Sequence, residues 1–376
     1  MENHGAVAAG GNAEAEETSF MTAQELITTH IVSMTLKAAM ELGLIDALAE
    51  APAGRALTAG ELVARLRLRL PQTTPIDQMA AAVDRMLRFL VCHGVVRCAT
   101  EEEDEGAGPG GAAVRRYAPA PVCRWLSSNQ GEGTLAPLAM FGFKNAILMP
   151  WHHLAEAVLE GGVAFEMAHG MPAFEHMGKN PQLNALYNQA MSRLSALVCD
   201  KLLERFTGFD GIGVLVDVGG GVGTVLGMIT SWYKHIKGIN FDLPFVVSQA
   251  KPIPGVEHVG GNMLDYVPAG DAVFMKSVLH LLSDEDCVKL LKNCHRAIPD
   301  NGKVIAMEVV LPATPAETQA GRFPFLFDMI CLLNSLKGGK ERTERELTML
   351  ARDAGFHGAV RSTVVFGGYW ALEFTK

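Results

Sequence analysis

The sequence predicts an α/β domain with a parallel sheet covered on both faces, preceded by a smaller helical domain. Short apolar segments of strand length alternate with helical patterns in the second half of the chain, at residues 214–218, 239–242, 256–260, 272–275 and 303–307. Strands that alternate with helices form parallel sheets. Two final apolar segments, 359–366 and 369–374, are separated by two glycines and predict an antiparallel hairpin. At 376 residues the chain is long enough for two domains.

The composition narrows the class of protein. Apolar residues make up 49% of the chain and charged residues 19%, as in globular proteins that fold in water. The net charge of −9 argues against a nucleic-acid partner, because such partners are bound mainly by neutralising phosphates. The sequence has no charge-free apolar stretch of about 18 residues, so we expect no membrane span and no membrane partner.

The cysteines and the N-terminal segment predict a cytoplasmic protein. The chain has 7 cysteines, an odd number without any Cys-x-x-Cys pair, which is typical of reduced thiols. The first residues are acidic and rich in alanine and glycine, and they lack the basic and apolar segments of a secretion signal.

Four regions are predicted along the chain. Residues 1–18 have the composition of a disordered tail. Residues 19–130 are predicted to form a winged-helix-like dimerisation domain. The helix predicted over 22–51 is apolar on more than one side and needs more cover than a small domain offers, which a second subunit can supply. This domain also has a capping-box pattern from Thr58 to Glu61, a helix over 77–92 and a hairpin around an acidic loop at 101–111. Residues 131–208 are mostly helical, and residues 209–376 form the α/β domain.

A glycine-rich turn follows the first strand of the α/β domain and predicts a cofactor site. Gly219, Gly221 and Gly223 occur at every second position, and a helical pattern begins at Thr224. A dinucleotide-binding turn needs a glycine or alanine at the position of Thr224, so a nicotinamide dehydrogenase is disfavoured. Asp242 ends the next strand, where an acidic side chain can bind a ribose. The pattern indicates a nucleoside-containing cofactor other than a dinucleotide.

Five further segments carry a resemblance to a known family. Residues 238–244, 255–261, 289–294, 299–304 and 338–343 are similar to segments of plant phenolic O-methyltransferases of the caffeic acid type, in the same order. This resemblance covers the chain from about residue 22 onwards. It implies a class I methyltransferase with a Rossmann-like seven-stranded sheet, a homodimer, S-adenosylmethionine as methyl donor, S-adenosylhomocysteine as product and no metal.

The resemblance also implies which residues bind the donor. Gly219, Asp242, Asn262, Met263 and Lys276 match family contacts, with Asp242 on the ribose, Met263 on the adenine and Lys276 near the carboxylate end. An alternative for Lys276 is a solvated lysine at a strand end. The family usually has an aspartate where this chain has Asn262, whose carbonyl can still accept a hydrogen bond.

The predicted catalytic residues are His280, Glu308 and Glu341. A phenol has a pKa of about 10, so methyl transfer at neutral pH needs a base, and histidine suits that task. His280 follows the fourth strand and matches the family's catalytic histidine, while both glutamates match residues that hold its ring. For Glu341 an ordinary surface charge is the alternative. The family usually has an acid and a tryptophan where this chain has Leu281 and Leu282.

The predicted acceptor pocket is apolar. Met177 and Leu194 stand where the family usually has histidines. Without polar partners, such a pocket favours a flat two-ring phenol, a resveratrol-like stilbene or a flavonoid, over caffeic or 5-hydroxyferulic acid of lignin biosynthesis, which is the alternative. A catalytically inactive, winged-helix-like binding homologue is the alternative from another functional class. The predicted pocket residues are Phe141, Trp151, Phe174, Met177, Leu183, Tyr187, Met191 and Leu194.

Overall fold

The computed structural model describes residues 5–52, 55–67, 74–101, 114–128, 131, 133–334 and 338–376, with the side chains of 5–13 and 101 excepted. The chain divides into two compact units, Met1–Phe143 and Lys144–Lys376. The region expected as one helical segment, 131–208, is therefore shared between the two units. Among the described residues, no helix combines the length and the apolarity that crossing a membrane requires.

The first unit contains six helices and one hairpin within its described residues. They are α1 Gly5–Glu41, α2 Leu44–Ala49, α3 Ala59–Arg67, α4 Ile76–Cys92, β1 Val96–Glu101, β2 Val114–Pro119, α5 Cys123–Leu126 and α6 Ala136–Gly142. The predicted capping box is confirmed, because Thr58 Oγ1 accepts from the Glu61 N–H and Glu61 Oε2 accepts from the Thr58 N–H. The predicted hairpin is present, while residues 102–111 of its acidic loop lie outside the described residues.

Helix α1 differs from the sequence expectation at both ends. It begins at Gly5, where a disordered tail over residues 1–18 was expected. Alanine and glutamate dominate residues 13–17 and have high helix propensity, which favours the extension. Near its other end, Gly43 has a φ of 74° and separates α1 from α2, so the helix expected over 22–51 is two helices. Large apolar side chains of α1 remain exposed, including Leu26 at 73% and Ile27 at 75%.

The second unit begins with a helical segment and continues into the α/β domain. The segment contains α7 Asn145–Leu148, a 3₁₀ helix Met149–His153, α8 Leu154–Glu160, α9 Ala164–His169, α10 Ala173–Lys179 and α11 Pro181–Arg205. The strands that follow are β3 Val214–Val218, β4 Lys237–Asp242, β5 Val256–Gly260, β6 Ala272–Lys276, β7 Lys303–Leu311, β8 Arg342–Thr343, β9 Val360–Phe366 and β10 Tyr369–Thr375. Between them lie α12 Thr224–Trp232, α13 Pro244–Val247, a 3₁₀ helix Leu279–Leu281, α14 Asp284–Ala297, α15 Gln319–Asn334 and α16 Glu344–Asp353.

The sheet has the predicted seven-stranded path with one short addition. Its order is β5-β4-β3-β6-β7-β10-β9, and the two-residue strand β8 pairs with the end of β7. Strands β3 to β7 are parallel, and β10 is antiparallel to both β7 and β9. Buried apolar clusters cover the sheet, one including side chains of α14 and α16 and another including side chains of α11 and α12. This arrangement brings the carboxyl ends of β3, β4, β6 and β7 to one edge.

Candidate active site

The turn at residues 219–223, called the glycine turn below, requires glycine for steric reasons. Gly219 has a φ of 70°, and a Cβ there would lie 2.8 Å from a methyl carbon of Val278. A Cβ on Gly220 would lie 2.2 Å from Asn240 Oδ1 and 2.7 Å from Asp217 Oδ2. Real Cβ contacts are never that short, so the missing side chains let polar groups approach the backbone. The turn then leads into the N-terminus of α12, where free N–H groups favour negative charge.

Side chains of β4 hold the glycine turn. Asp242 Oδ2 accepts from the Gly221 N–H at 2.8 Å, and Asn240 Nδ2 donates to the Gly221 carbonyl at 2.9 Å. Asn240 is fully buried, and its Nδ2 also lies 3.1 Å from His258 Nδ1. Asp242 therefore holds the backbone of the glycine turn, and the ribose contact expected of it stays a prediction.

Buried acceptor atoms at this edge have no hydrogen-bond partner among the described residues. They include Asp217 Oδ2 and Asn240 Oδ1, which face the glycine turn, and one carboxylate oxygen each of Glu308 and Glu341. Burial raises the pKa of Asp217 to about 8, and the charge of Asp242 adds to that rise. An edge with unpaired acceptors and acids fits a ligand that carries positive charge, such as a sulfonium with an ammonium group.

The other predicted donor-binding residues lie at the same edge. Asn262 Oδ1 accepts from the Leu264 N–H, and the Met263 side chain packs against the apolar cluster on the α14 side of the sheet. Lys276 ends β6, and its Nζ lies 5.5 Å from the centre of the Tyr369 ring. Burial lowers the pKa of Lys276, although the charges of Glu308 and Asp217 oppose this effect. A partly buried lysine over an aromatic ring differs from the solvated lysine considered as the alternative.

His280 lies in the turn at residues 277–282, called the histidine turn below. Its Nδ1 is 2.8 Å from Glu341 Oε1, and the side chain of Glu341 is only 1% exposed, which rules out the surface charge considered for it. Cys331 Sγ on α15 lies 3.8 Å from both of these atoms. Burial acts to lower the pKa of His280, but the hydrogen bonds with Cys331 and Glu341 and the charge of Glu308 raise it above its usual range.

Glu308 holds the backbone of the histidine turn. Its Oε1 accepts from the N–H groups of Val278 at 2.9 Å and Leu279 at 2.8 Å. The sequence analysis expected Glu308 to hold the imidazole ring directly, and no such hydrogen bond is present in the described part of the chain. The reason is geometric. Glu308 lies in the centre of β7 and contacts the start of the turn, whereas Glu341 lies just before β8 and contacts the imidazole ring. Its charge still acts on His280.

Arg342 is a site residue that the sequence analysis missed. Its side chain is 1% exposed, and it donates to the carbonyls of Leu279 and Leu282, both at 2.8 Å. It also pairs with Asp284 at 2.7 Å. The one local signal for Arg342 was its position next to Glu341, a candidate catalytic residue. That position does not indicate that the arginine is buried. Glu308 and Arg342 together hold both the N–H and the carbonyl groups of the histidine turn. The backbone at Ser277, φ 54°, is thereby kept in a region that serine rarely adopts.

The predicted acceptor residues are only partly brought together. The rings of Phe174 and Tyr187 meet edge to face with their centroids 6.2 Å apart, and α10 packs against α11. Met177 and Leu183 are buried, at 5% and 6% exposure. Leu194 instead packs against the core cluster between α11 and the sheet, because it lies on the face of α11 that covers the sheet. Trp151 is 38% exposed on the 3₁₀ helix and Met191 is partly buried, while Phe141 belongs to the first unit.

The sheet order, the glycine turn and the acid at the end of β4 define a class I methyltransferase, the class that uses S-adenosylmethionine. The O-methyltransferase domain family matches residues 151–357, and the O-methyltransferase dimerisation domain matches residues 24–129. The chain belongs to the O-methyltransferase family, within its plant phenolic branch.

Three known proteins illustrate the similarity. A rice protein named probable inactive methyltransferase is 54% identical over 98% of this chain and 97% of its own length. Rice naringenin 7-O-methyltransferase is 53% identical over 95% of this chain and 94% of its own. Human N-acetylserotonin methyltransferase, solved with S-adenosylmethionine, has a TM-score of 0.74 over 95% of this chain and 97% of its own, at 23% identity. That last similarity supports the fold.

Proposed function

We propose that this protein transfers a methyl group from S-adenosylmethionine to a phenolic hydroxyl, with His280 as general base. The observation that carries the proposal is the 2.8 Å contact between His280 Nδ1 and the buried Glu341, within a turn held by Glu308 and Arg342. A carboxylate on one ring nitrogen fixes the tautomer and stabilises the imidazolium that forms at the other.

The proposed reaction needs one proton transfer by the protein. When bound, the donor supplies a methyl group on a positively charged sulfur. His280 Nε2 accepts the phenol proton while the oxygen–carbon bond forms and the carbon–sulfur bond breaks. The products are the methyl ether, S-adenosylhomocysteine and an imidazolium paired with Glu341. Holding the histidine turn rigid keeps Nε2 in place for this transfer.

For the donor we propose Gly219, Asp242, Asn262, Met263 and Lys276 as binding residues. Asp242 and the glycine turn are already joined by a hydrogen bond, which sets an acid beside the turn where a ribose would be held. The unpaired acceptors at Asp217 and Asn240 support a cationic ligand at this position. No protein metal is needed for this chemistry.

For the acceptor we propose a flat, apolar phenol such as a stilbene or a flavonoid. The buried Met177 and Leu183 provide no polar partner for a carboxylate side arm. Burying an unpaired polar group costs about 1–3 kcal/mol, whereas a second aromatic ring gains from contact with the same side chains. Similarity to a naringenin methyltransferase supports the same direction.

The acceptor proposal is tested by comparing kcat/KM for resveratrol, naringenin and caffeic acid with labelled donor. Met177→His should move preference toward caffeic acid by up to about tenfold, since one hydrogen bond is worth about 1.4 kcal/mol or less. Met349→His, at a 53% exposed position on α16, is the matched control. A wild-type preference for caffeic or 5-hydroxyferulic acid would contradict the proposal of a stilbene or flavonoid acceptor and favour the lignin-pathway alternative.

A second candidate function is donor binding without catalysis. The relative named probable inactive, at 54% identity, favours it. Calorimetric binding of S-adenosylhomocysteine combined with single-turnover methyl transfer separates the two candidates. Binding without transfer to any phenol in the panel supports the second one.

We also propose a homodimer through the first unit. The exposed Leu26 and Ile27 of α1, together with a surface cavity of about 370 Å³, leave apolar area for a second copy to cover. The cavity is lined by His30, Ile31, Met34, Thr35, Ala38 and Met86. Light scattering of Ile27→Glu should give a monomer, and an unchanged dimer would contradict this interface.

A further inference from the structure

A cluster of three potential metal ligands lies at the proposed base. His280 Nδ1, Cys331 Sγ and a carboxylate oxygen of Glu341 all lie within 4.8 Å of one another. Glu341 is buried, whereas His280 and Cys331 are partly exposed, so the cluster lies at the boundary between the interior and solvent. Thiolate, imidazole and carboxylate are the three side-chain ligand types that zinc prefers.

We propose that His280, Cys331 and Glu341 form an inhibitory site for a thiophilic divalent cation such as Zn²⁺. The binding part of this inference stands on the cluster alone, whereas the inhibition rests on the proposed function of His280 as base. Zinc here is a reversible inhibitor and takes no part in methyl transfer.

The geometry is close to that of a tetrahedral site. Zinc bound at about 2.3 Å to sulfur and about 2.0–2.1 Å to nitrogen or oxygen separates its ligands by about 3.3–3.6 Å. Cys331 Sγ is 3.8 Å from both His280 Nδ1 and Glu341 Oε1, so these two distances need to shorten slightly. The 2.8 Å distance between Nδ1 and Oε1 is a hydrogen bond, and it must lengthen by about 0.5 Å when zinc replaces the shared proton.

The charges also suit a divalent cation. A Cys331 thiolate and the Glu341 carboxylate together neutralise Zn²⁺. The second carboxylate oxygen of Glu341 has no hydrogen-bond partner among the described residues and can serve as an additional ligand. Water can complete the tetrahedron. Binding releases the thiol proton of Cys331 and leaves imidazole neutral.

Zinc on Nδ1 would block the base by fixing the wrong tautomer. A neutral imidazole that ligates zinc through Nδ1 carries its proton on Nε2. Nε2 then has no lone pair to accept the phenol proton. The inhibition therefore needs no contact between the metal and either substrate.

The binding test uses zinc alone on the full chain without a histidine tag, in competition with a chromophoric chelator. Wild type should bind one strongly held zinc per chain, and Cys331→Ala should weaken this site at least tenfold. Cys98→Ala, which removes an exposed thiol of the first unit, should leave it unchanged. Co²⁺ should give a thiolate charge-transfer band in wild type that is absent from Cys331→Ala. Equal zinc affinity in wild type and Cys331→Ala would overturn the site.

The inhibition test compares each protein with itself, with and without zinc. Wild-type methyl transfer should fall at least tenfold at saturating zinc and recover with a chelator, while Cys331→Ala should lose less than twofold. Inhibition of the same depth in Cys331→Ala would overturn the inhibitory mechanism. If zinc binds through Cys331 and no phenol is methylated even without metal, the proposed function fails while the metal site stands.

Discussion

The glycine turn and the histidine turn lie at the same edge of the sheet but are held in different ways. The glycine turn is held by Asn240 and Asp242, about twenty residues downstream on the adjacent strand. The histidine turn is held by Glu308 and Arg342, which come from segments up to 63 residues away. The two turns meet where Val278 packs against Gly219. If the proposed roles hold, donor binding depends on the locally held glycine turn and base placement on the histidine turn held by distant segments, so mutations should separate the two.

The largest expected effect comes from removing the base. His280→Ala should lower kcat by about 10²–10⁴-fold, because proton acceptance from the phenol is lost. Affinity for S-adenosylhomocysteine should stay within about threefold, since the glycine turn does not use this side chain. Stopped assays with labelled donor and calorimetry measure the two quantities. A variant that keeps a tenth of wild-type turnover would mean that another group is the base.

Gly220→Ala is expected to have the opposite effect, with donor affinity lowered and the proposed base left in place. The new Cβ would lie 2.2 Å from Asn240 Oδ1, so the glycine turn must shift and donor affinity should fall by about tenfold or more. The pH dependence of the residual rate should be unchanged, because the histidine turn is held separately. Gly178→Ala, where a Cβ would meet open space, is the control. Equal donor affinity in both variants would contradict the steric account.

A test of long-range positioning is Arg342→Met. It removes the guanidinium donor from the carbonyls of Leu279 and Leu282 and leaves Asp284 with Lys340 as its ion-pair partner. The free energy of unfolding should fall by about 2–4 kcal/mol. At temperatures where the variant is folded, kcat should fall by about tenfold with KM for donor little changed. Arg345→Met, at an exposed position, should lower neither the free energy of unfolding nor kcat. Loss of stability with normal kcat would make Arg342 structural only.

The smallest effect is a shift in pH dependence from Glu341→Gln. The base form of His280 is neutral, and because its pKa is raised, the rate should climb as pH rises through that raised value. Removing the carboxylate charge lowers the pKa, so the inflection should move to lower pH, by about one unit. Glu344→Gln, at an exposed position, is the control. The ion pair between protonated His280 and Glu341 also contributes to the free energy of unfolding. This contribution is fully present below the pKa of free imidazole and is lost as pH rises through the raised pKa of His280. An inflection that stays in place would show that it belongs to another group.

The parts predicted from sequence are those encoded locally. Strand positions followed from apolar runs, and the glycine turn followed from the spacing of Gly219, Gly221 and Gly223 next to Asp217. The capping box and the final hairpin are local too. His280 and Glu341 were named through a resemblance; the structure has a 2.8 Å contact between them, and their catalytic roles stay a prediction.

The parts that sequence did not predict depend on distant segments. Nothing near Arg342 indicates that it is buried beneath a turn some sixty residues earlier, and arginine is usually exposed. Leu194 was expected in a pocket because helical spacing cannot say which apolar face of α11 covers the sheet. Glu308 was expected at the ring because the predicted strand ended at residue 307, whereas β7 continues to Leu311 and Glu308 accepts from the backbone of the histidine turn.

The position of β10 has a consequence for how the protein is made. This strand lies between β7 and β9, and Tyr369 pairs with Val309, about sixty residues earlier in the chain. During synthesis β7 is made before β10, so one of its sides is unpaired. Strand β9 is made next, but it pairs with β10 and not with β7, so it joins the sheet only when β10 has formed. Long-range pairing of this kind is slow, and open strand edges promote association between nascent chains. Slow pairing of β10 and early chaperone contact with the open edge of β7, more than the stability of the finished fold, should therefore limit the yield of active protein.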